Sequence, residues 1–389
     1  MDISFLGVTR EVTGSCCLLH AGGLQILVDC SLIQGGAEHE RHNREPFPFE
    51  PADIDAVVLT HAHLDHSGRL PLLVKQGFGG PIFRHRATVD SCAIKLADAA
   101  HLNESQAERE NRRRTKDKEP QAEPLYTSSD ARQTQEWFVP VEYGSSTEIG
   151  RGAWLTLRDA GHILSSAAVE LDLGEGQRRR RIVFSGDLGH RGAPILRDPE
   201  PIERADPVVM ESTYGERLHC PWQDTWQEMG DIPGSAKSGK GNILVPAFTI
   251  GRTQELLNVV SQHFDAWGLA DWQIFLDSPM AIEATEVYAR HAKVYDQRAR
   301  QWHADANTSR HLPNRTNQLR GRGMRVEKGS CAQRFGTMAP GAGRPWSRRP
   351  GSPSRNGRRG RSAWAQAQEE PLMSEQPGTP DRHRSPMPP

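Results

Sequence analysis

Short apolar runs broken by turn residues dominate the first sixty positions. Residues 3–8 (ISFLGV), 16–19 and 24–29 (LQILVD) are rich in apolar and β-branched side chains and are separated by Gly14 and the Gly22-Gly23 pair, a pattern that predicts three strands. Residues 55–60 (DAVVLT) predict a fourth, ending at a histidine cluster. Ser67 is placed to cap a helix running through Leu70 and Leu73 to Gly77, a residue suited to ending it. Residues 95–137 are polar and charged, with Arg112, Arg113 and Arg114 in a row; too little apolar periodicity predicts a helical insertion lying over the core. Strands resume at 154–157, 168–173, 182–184 and 208–210. The pattern then alternates: a strand at 242–246, a helix over 253–263, a strand at 273–276 and a helix over 282–292, which predicts a second α/β unit.

Beyond about residue 305 the alternation stops. From 311 onward there is no Ile, one Val and one Phe against 14 Arg and 11 Pro, too little apolar surface to offset chain entropy, so 306–389 reads as a disordered Arg/Pro/Gly-rich tail. A natural linker and a shifted reading frame of GC-rich DNA both give such a composition. The expected organisation is thus 1–212 as a first domain with the charged insertion at 95–137, 213–305 as a partial second domain, and the tail.

Charge sharpens this division. The total is −1, but 311–389 carries 15 Lys and Arg against 5 Asp and Glu, a net +10 that leaves −11 for the first 310 residues. An acidic body argues against a surface coated in basic residues for nucleic acid, though not against a local basic groove. The six cysteines form no CxxC pair and no disulfide framework, as expected of a reducing cytoplasm. No opening signal segment and no apolar stretch near the roughly 18 residues of a membrane span are found, so a soluble protein is expected.

The segment Thr60-His61-Ala62-His63-Leu64-Asp65-His66-Ser67-Gly68 carries the candidate chemistry. Four imidazole and carboxylate donors within six residues, directly after a strand, can be aimed by one short loop at a compact centre, and that donor mixture suits Zn²⁺ better than Ca²⁺. A solvated polar loop is the plainer alternative, but single donor positions framed by a buried strand and a helix fit it poorly.

This segment is nearly identical to the HxHxDH signature of the metallo-β-lactamase superfamily, and further elements resemble its other motifs in order: Asp29 closing a strand, Gly161-His162, and Ser185-Gly186-Asp187. Three later segments resemble the β-CASP branch: Glu211-Ser212-Thr213-Tyr214-Gly215, the stretch from Pro246 through Gly251 and Arg252, and Asp277-Ser278-Pro279. The resemblance implies an α/β fold, an αββα sandwich with an α/β cap whose C-terminal closing part is incomplete here. It implies a two-zinc site: His61, His63 and His162 on one ion, Asp65 and His66 on a second, weaker one, and Asp187 bridging. Asp65, Asp187 and Glu211 would be catalytic, with a zinc-activated hydroxide as nucleophile. Asp29 would fix the histidine loop from behind. Ser212, Thr213, Gly251, Arg252 and Ser278 would contact phosphate or RNA.

The branch includes the pre-mRNA cleavage endonuclease subunit and prokaryotic RNA-processing exonucleases, so the implied activity is hydrolysis of single-stranded RNA, in a cytoplasmic protein that could form a homodimer. Two further histidines complete the family's site after the cap, one in a segment like GxSxHAD that donates a proton. Neither is found in its context; Trp302-His303-Ala304-Asp305 resembles that segment only superficially. Impaired cleavage is therefore expected. A small-molecule hydrolase of the same fold and a catalytically dead RNA-binding remnant remain the alternatives, the first disfavoured by the cap motifs.

Overall fold

The computed structural model describes residues 1–7, 13–35, 37–117, 120–174, 176, 179–239 and 242–301, together with the short strand at 335–336. The chain divides into two units, Met1–Ala342 and Gly343–Pro389; the second, and with it most of the Arg/Pro/Gly-rich tail, lies outside the described residues.

Two sheets form the framework. The first contains β1 (Asp2–Phe5), β2 (Cys17–Ala21), β3 (Leu24–Val28), β4 (Ala56–Val58), β5 (Ile82–His85) and β6 (Phe138–Val141), in that spatial order. Its first three strands pair antiparallel and β3 to β6 pair parallel. The second runs β7 (Thr147–Gly150), β8 (Ala153–Asp159), β9 (Ala167–Leu173), β10 (Arg180–Phe184) and β11 (Val208–Val209), antiparallel except for the parallel pair β10–β11.

Strand alternation decides what each face meets. Cys17, Leu19, Ile26, Val28, Ala56 and Val58 of the first sheet pack against Leu155, Leu157, Val169, Leu171, Ile182 and Phe184 of the second. The intervening Leu18, Leu27 and Val57 face the other way, onto helices. The helical elements are α1 (Ala37–His42), α2 (Leu64–Ser67), α3 (Leu70–Lys75), α4 (Arg86–Asp117) and α5 (Ser128–Thr134), of which α3, α4 and α5 supply Leu70, Leu73, Cys92, Leu96 and Ala131 to that layer. Strands β3 and β4 are therefore apolar on both faces, which is why residues 56–58 read as an unbroken hydrophobic run. Each fully buried Leu or Val there contributes about 1.5–3 kcal/mol.

Three expectations are corrected. Ser67 does not cap a helix: it is the last residue of α2, its hydroxyl donates to the carbonyls of Ala62 (3.2 Å) and His63 (3.0 Å), and the next helix starts afresh at Leu70. Gly68 sits too close to the Leu64 carbonyl for a side chain, and Pro71 suits a new first turn, so the chain breaks where one helix was expected. The stretch 95–137 is not merely an arm over the core. Its first part continues α4, and Leu96, Ala99, Ala100, Leu125, Tyr126 and Ala131 belong to the buried cluster. Small residues at helical spacing bury well while scoring as weakly apolar. Only the far half of α4 is charged throughout, with the i,i+4 pair Glu110–Arg114 at 3.1 Å. Finally, residues 242–248 pair with no strand among the described residues, and Leu244 and Phe248 are exposed.

The remaining elements are α6 (Trp222–Gly239), α7 (Arg252–Gln262), β12 (Phe275–Leu276) and α8 (Pro279–Arg290). Leu256, Leu276 and Ala281 form a small core with Met229. Ala284, Val287 and Tyr288 of α8 pack on Ile163, Leu164, Ile195 and Leu196, and the Tyr288 hydroxyl accepts from the Leu164 amide at 3.0 Å. This seats α8 against the loop that carries His162.

Candidate metal centre

Five loops of motif residues start where a strand has just ended. Asp29 follows β3, Thr60 and His61 follow β4, His162 follows β8, Asp187 follows β10 and Glu211 follows β11. Because β3 and β4 run parallel, as do β10 and β11, those ends share one edge of the sandwich. Two loops touch there closely: Gly189 donates its amide to the Ala160 carbonyl at 2.8 Å, and a side chain at Gly189 would overlap the Gly161 carbonyl.

The side chains converge. His61 Nε2 lies 3.2 Å from His63 Nδ1, which lies 3.3 Å from His162 Nε2. Asp187 Oδ2 is 3.7 Å from His61 Nε2 and 3.4 Å from His162 Nε2, while its Oδ1 is 3.2 Å from His66 Nε2. One donor atom from each of His61, His63, His162 and Asp187 falls within 4.8 Å of the others. His66 joins this group through Asp187 and through its ring, whose centroid lies 4.0 Å from that of His61.

Behind the cluster, Asp29 is 1% exposed and adopts φ +60°. Its carboxylate accepts from the Thr60 amide (2.8 Å), the Thr60 hydroxyl (3.0 Å), the Ser15 hydroxyl (3.1 Å) and His66 Nδ1 (2.7 Å). Thr60 Oγ1 also lies 3.1 Å from His61 Nδ1. Each of these contacts engages Nδ1 and leaves Nε2 of His61 and His66 directed into the cluster.

Electrostatics follow from burial. Desolvation, then the neighbouring histidines, holds His61 well below its ordinary value of 6.5. The same causes, with His162 foremost among the neighbours, bring His63 down to about 3. Burial lowers His162 as well. His66 goes the other way: burial opposes its charge, but Asp29 and Asp187 on either side raise it well above 6.5. Burial pushes Asp187 up, yet His66 and His162 hold it at about 2. Burial raises Asp65.

Three neutral imidazoles and an ionised carboxylate whose donor atoms lie within 4.8 Å of one another form a donor set that a divalent cation fits. His63 Nε2 is buried without a hydrogen-bond partner, while its Nδ1 is the atom turned toward the other rings. Such a ring is oriented for coordination rather than for hydrogen bonding.

The other expected residues divide. Glu211 stands beside the centre, its carboxylate accepting from the Leu188 amide at 2.8 Å. Ser212 and Thr213 are exposed just beyond it. Arg252 is half exposed and paired with Glu255 at 2.6 Å. Gly251 is buried with its amide bonded to Gln254 Oε1 (2.9 Å) and packs against Ile163, so its backbone donor is already committed. Ser278 accepts from the Ala281 amide at 3.2 Å and caps α8. Those two residues serve packing and capping. Thr60 and Ser15 were not singled out; position next to the first histidine was the available signal for Thr60.

Family comparisons agree with this arrangement. The metallo-beta-lactamase superfamily profile matches residues 9–234 and the Beta-Casp domain profile matches residues 253–341. A protein named Ribonuclease TTHA0252 from Thermus thermophilus is 36% identical over 341 residues, covering 88% of this chain and 71% of that protein. The Transcription termination factor FttA of Methanocaldococcus jannaschii is 29% identical over 77% of this chain, which spans only 45% of that factor. Among solved structures, a metallo-beta-lactamase from Cronobacter sakazakii aligns at 21% identity and a TM-score of 0.31 over 50% of this chain and 64% of that one, too slight a superposition to add to the profiles.

Proposed function

Because the chain belongs to the metallo-β-lactamase superfamily and carries a Beta-Casp domain, we propose that it is a zinc-dependent ribonuclease hydrolysing phosphodiester bonds of single-stranded RNA. The convergence of His61, His63, His162 and Asp187 on one point carries this reading. His61, His63 and His162 would hold one ion, Asp65 and His66 a second, weaker one, with Asp187 shared. When bound, such cations supply Lewis acidity that lowers the pKa of water and offsets charge on a phosphoryl group.

The chain's own residues do the rest. Thr60 and Asp29 fix the rings of His61 and His66 so that Nε2 faces inward. Asp65, whose carboxyl is raised by burial, is suited to take a proton from the attacking water. Glu211, anchored on the Leu188 amide, ties the loop after β11 to the loop after β10 that carries Asp187. Arg252, Ser212 and Thr213 are exposed where substrate phosphates could meet them. A cytoplasmic setting goes with an RNA substrate, and no helix among the described residues is long and apolar enough to cross a membrane.

Cleavage by these 389 residues is expected to be slow, because the proton-donating histidine expected after the cap is not found in its context; general-acid help is worth about 10² to 10⁴ in rate. The test is zinc analysis with cleavage of end-labelled single-stranded RNA. Zinc in the protein and slow cleavage abolished by Asp65→Asn are expected. Hydrolysis of lactones or thioesters without RNA cleavage would overturn the reading in favour of a small-molecule hydrolase. RNA binding with no cleavage at all would leave a catalytically silent remnant.

A further inference from the structure

A row of rings stands beside the metal centre and takes no part in it. Its two limbs start from one junction, where the Glu211 carboxylate holds the amide of Leu188, the residue after Asp187. Three residues past Asp187 comes His190; three residues past Glu211 comes Tyr214. His219 joins the limbs, its ring centroid 5.0 Å from His190 and 4.4 Å from Tyr214. Trp222 continues from His190 at 5.0 Å, and Trp226, one turn along α6, stacks on Trp222 at 4.9 Å with the planes 14° apart. Five rings thus follow one another: Tyr214, His219, His190, Trp222, Trp226. Three residues of chain span at most about 11 Å, so the backbone of His190, the middle ring of the row, stands within that reach of Asp187.

These rings are not core. Tyr214 is 49% exposed, His190 and His219 are exposed, and 212–221 is exposed throughout. Yet the row is fixed in place: Trp222 Nε1 donates to the Arg191 carbonyl at 2.9 Å. The Arg217 guanidinium lies 5.5 Å over the Tyr214 ring. Exposed rings at Tyr214, His219 and His190, continued by the half-buried Trp222 and Trp226 and flanked by Arg217, are a combination that takes unpaired bases, since every base offers a π-face and the guanidinium meets the backbone. A duplex hides those faces, so single-stranded nucleic acid is the occupant that this chemistry fits.

We infer that the row from Tyr214 to Trp226 is a stacking platform on which bases of single-stranded RNA lie as the strand enters or leaves the metal centre. This rests on the ribonuclease reading and adds to it a binding subsite outside the metal ligands. Stacking is sequence-tolerant, so the platform contributes affinity and direction without a base preference.

The test uses the full chain with zinc, carrying Asp65→Asn to abolish cleavage, and a fluorescein-labelled oligouridylate read by anisotropy. The same oligomer without bases is the control. Tyr214→Ala, which removes a half-exposed ring that touches His219 and Arg217 and lies outside the buried clusters, should weaken binding of the base-bearing strand roughly 5- to 100-fold and leave the abasic strand unchanged. Tyr214→Phe should restore it. Trp226→Ala should act in the same direction, and Trp222→Phe should have little effect. Equal affinity for both strands, or no change on Tyr214→Ala, overturns the platform while RNA cleavage by the parent chain leaves the nuclease reading standing; a protein partner on this row would give that result. If the parent chain neither binds nor cleaves RNA, the underlying reading falls and takes the platform with it.

Discussion

Replacing Asp29 separates the scaffold of the centre from its ligands. The carboxylate touches none of the converging donor atoms, yet it accepts from Ser15, from both the amide and hydroxyl of Thr60, and from His66. Asn is the informative substitute, because it tolerates φ +60° as Asp does and keeps one acceptor oxygen. If that oxygen stays with the Thr60 amide, an NH₂ group faces Ser15 and His66. One charge-assisted hydrogen bond, worth about 1.5–3 kcal/mol, is then lost. Ala removes the acceptor altogether and leaves the Thr60 amide and the His66 ring unpaired in a site that Asp29 occupies at 1% exposure. Each orphaned donor costs about 1–3 kcal/mol, and the left-handed backbone adds roughly 1 kcal/mol more. Urea unfolding of the metal-free proteins should order them wild type, Asn, Ala, and chelator competition should show zinc held about 10- to 100-fold more weakly in the Asn variant. An Asn variant with the wild-type unfolding midpoint and the wild-type zinc affinity would refute the reasoning.

His63→Ala should remove most bound zinc and lower the melting temperature of the zinc-loaded protein, because ligand binding adds to folded-state stability; equal zinc in both proteins would contradict the ligand assignment. Gly189→Ala should push apart the loops carrying His162 and Asp187, lowering zinc content while circular dichroism shows the sheets intact. Burial brings His85 down to about 4 despite Glu142 at 3.5 Å. The unfolded ring takes up a proton below 6.5 and the folded one does not, so this contribution is present at pH 7 and lost as pH falls from 6.5 toward 4. The urea midpoint of His85→Phe should therefore drop less than that of wild type between pH 7 and pH 5.

What could be read from the chain alone depended on how local its cause is. Residues 56–58 and the histidines after them were legible because one short stretch holds both the buried strand and its donors. The break at Gly68 was not, since it arises from a steric contact with Leu64 that composition does not display. The inner half of α4 was misjudged because Ala99 and Ala100 are buried by their neighbours rather than by their own hydrophobicity. At the centre, the ligands came from a motif, whereas Thr60 gained its role from Asp29, 31 residues away, across the parallel pairing of β3 with β4. The row of rings was invisible for the same reason: two loops meet only because β10 and β11 lie side by side.

The donors come from both halves of the sandwich, and this sets a timetable for synthesis. His61, His63 and His66 leave the ribosome long before Asp187, and at about 5–20 residues per second the interval is on the order of ten seconds. During it a nascent chain offers imidazoles without the carboxylate, a partial set from which an ion exchanges readily. Once the second sheet docks, an ion held by His63 and His162 would tie together positions 99 residues apart. A covalent link across such a span would remove roughly 4–5 kcal/mol of freedom from the unfolded chain in the loop-entropy picture. Firm metal retention would thus report that both sheets have been made and have found each other.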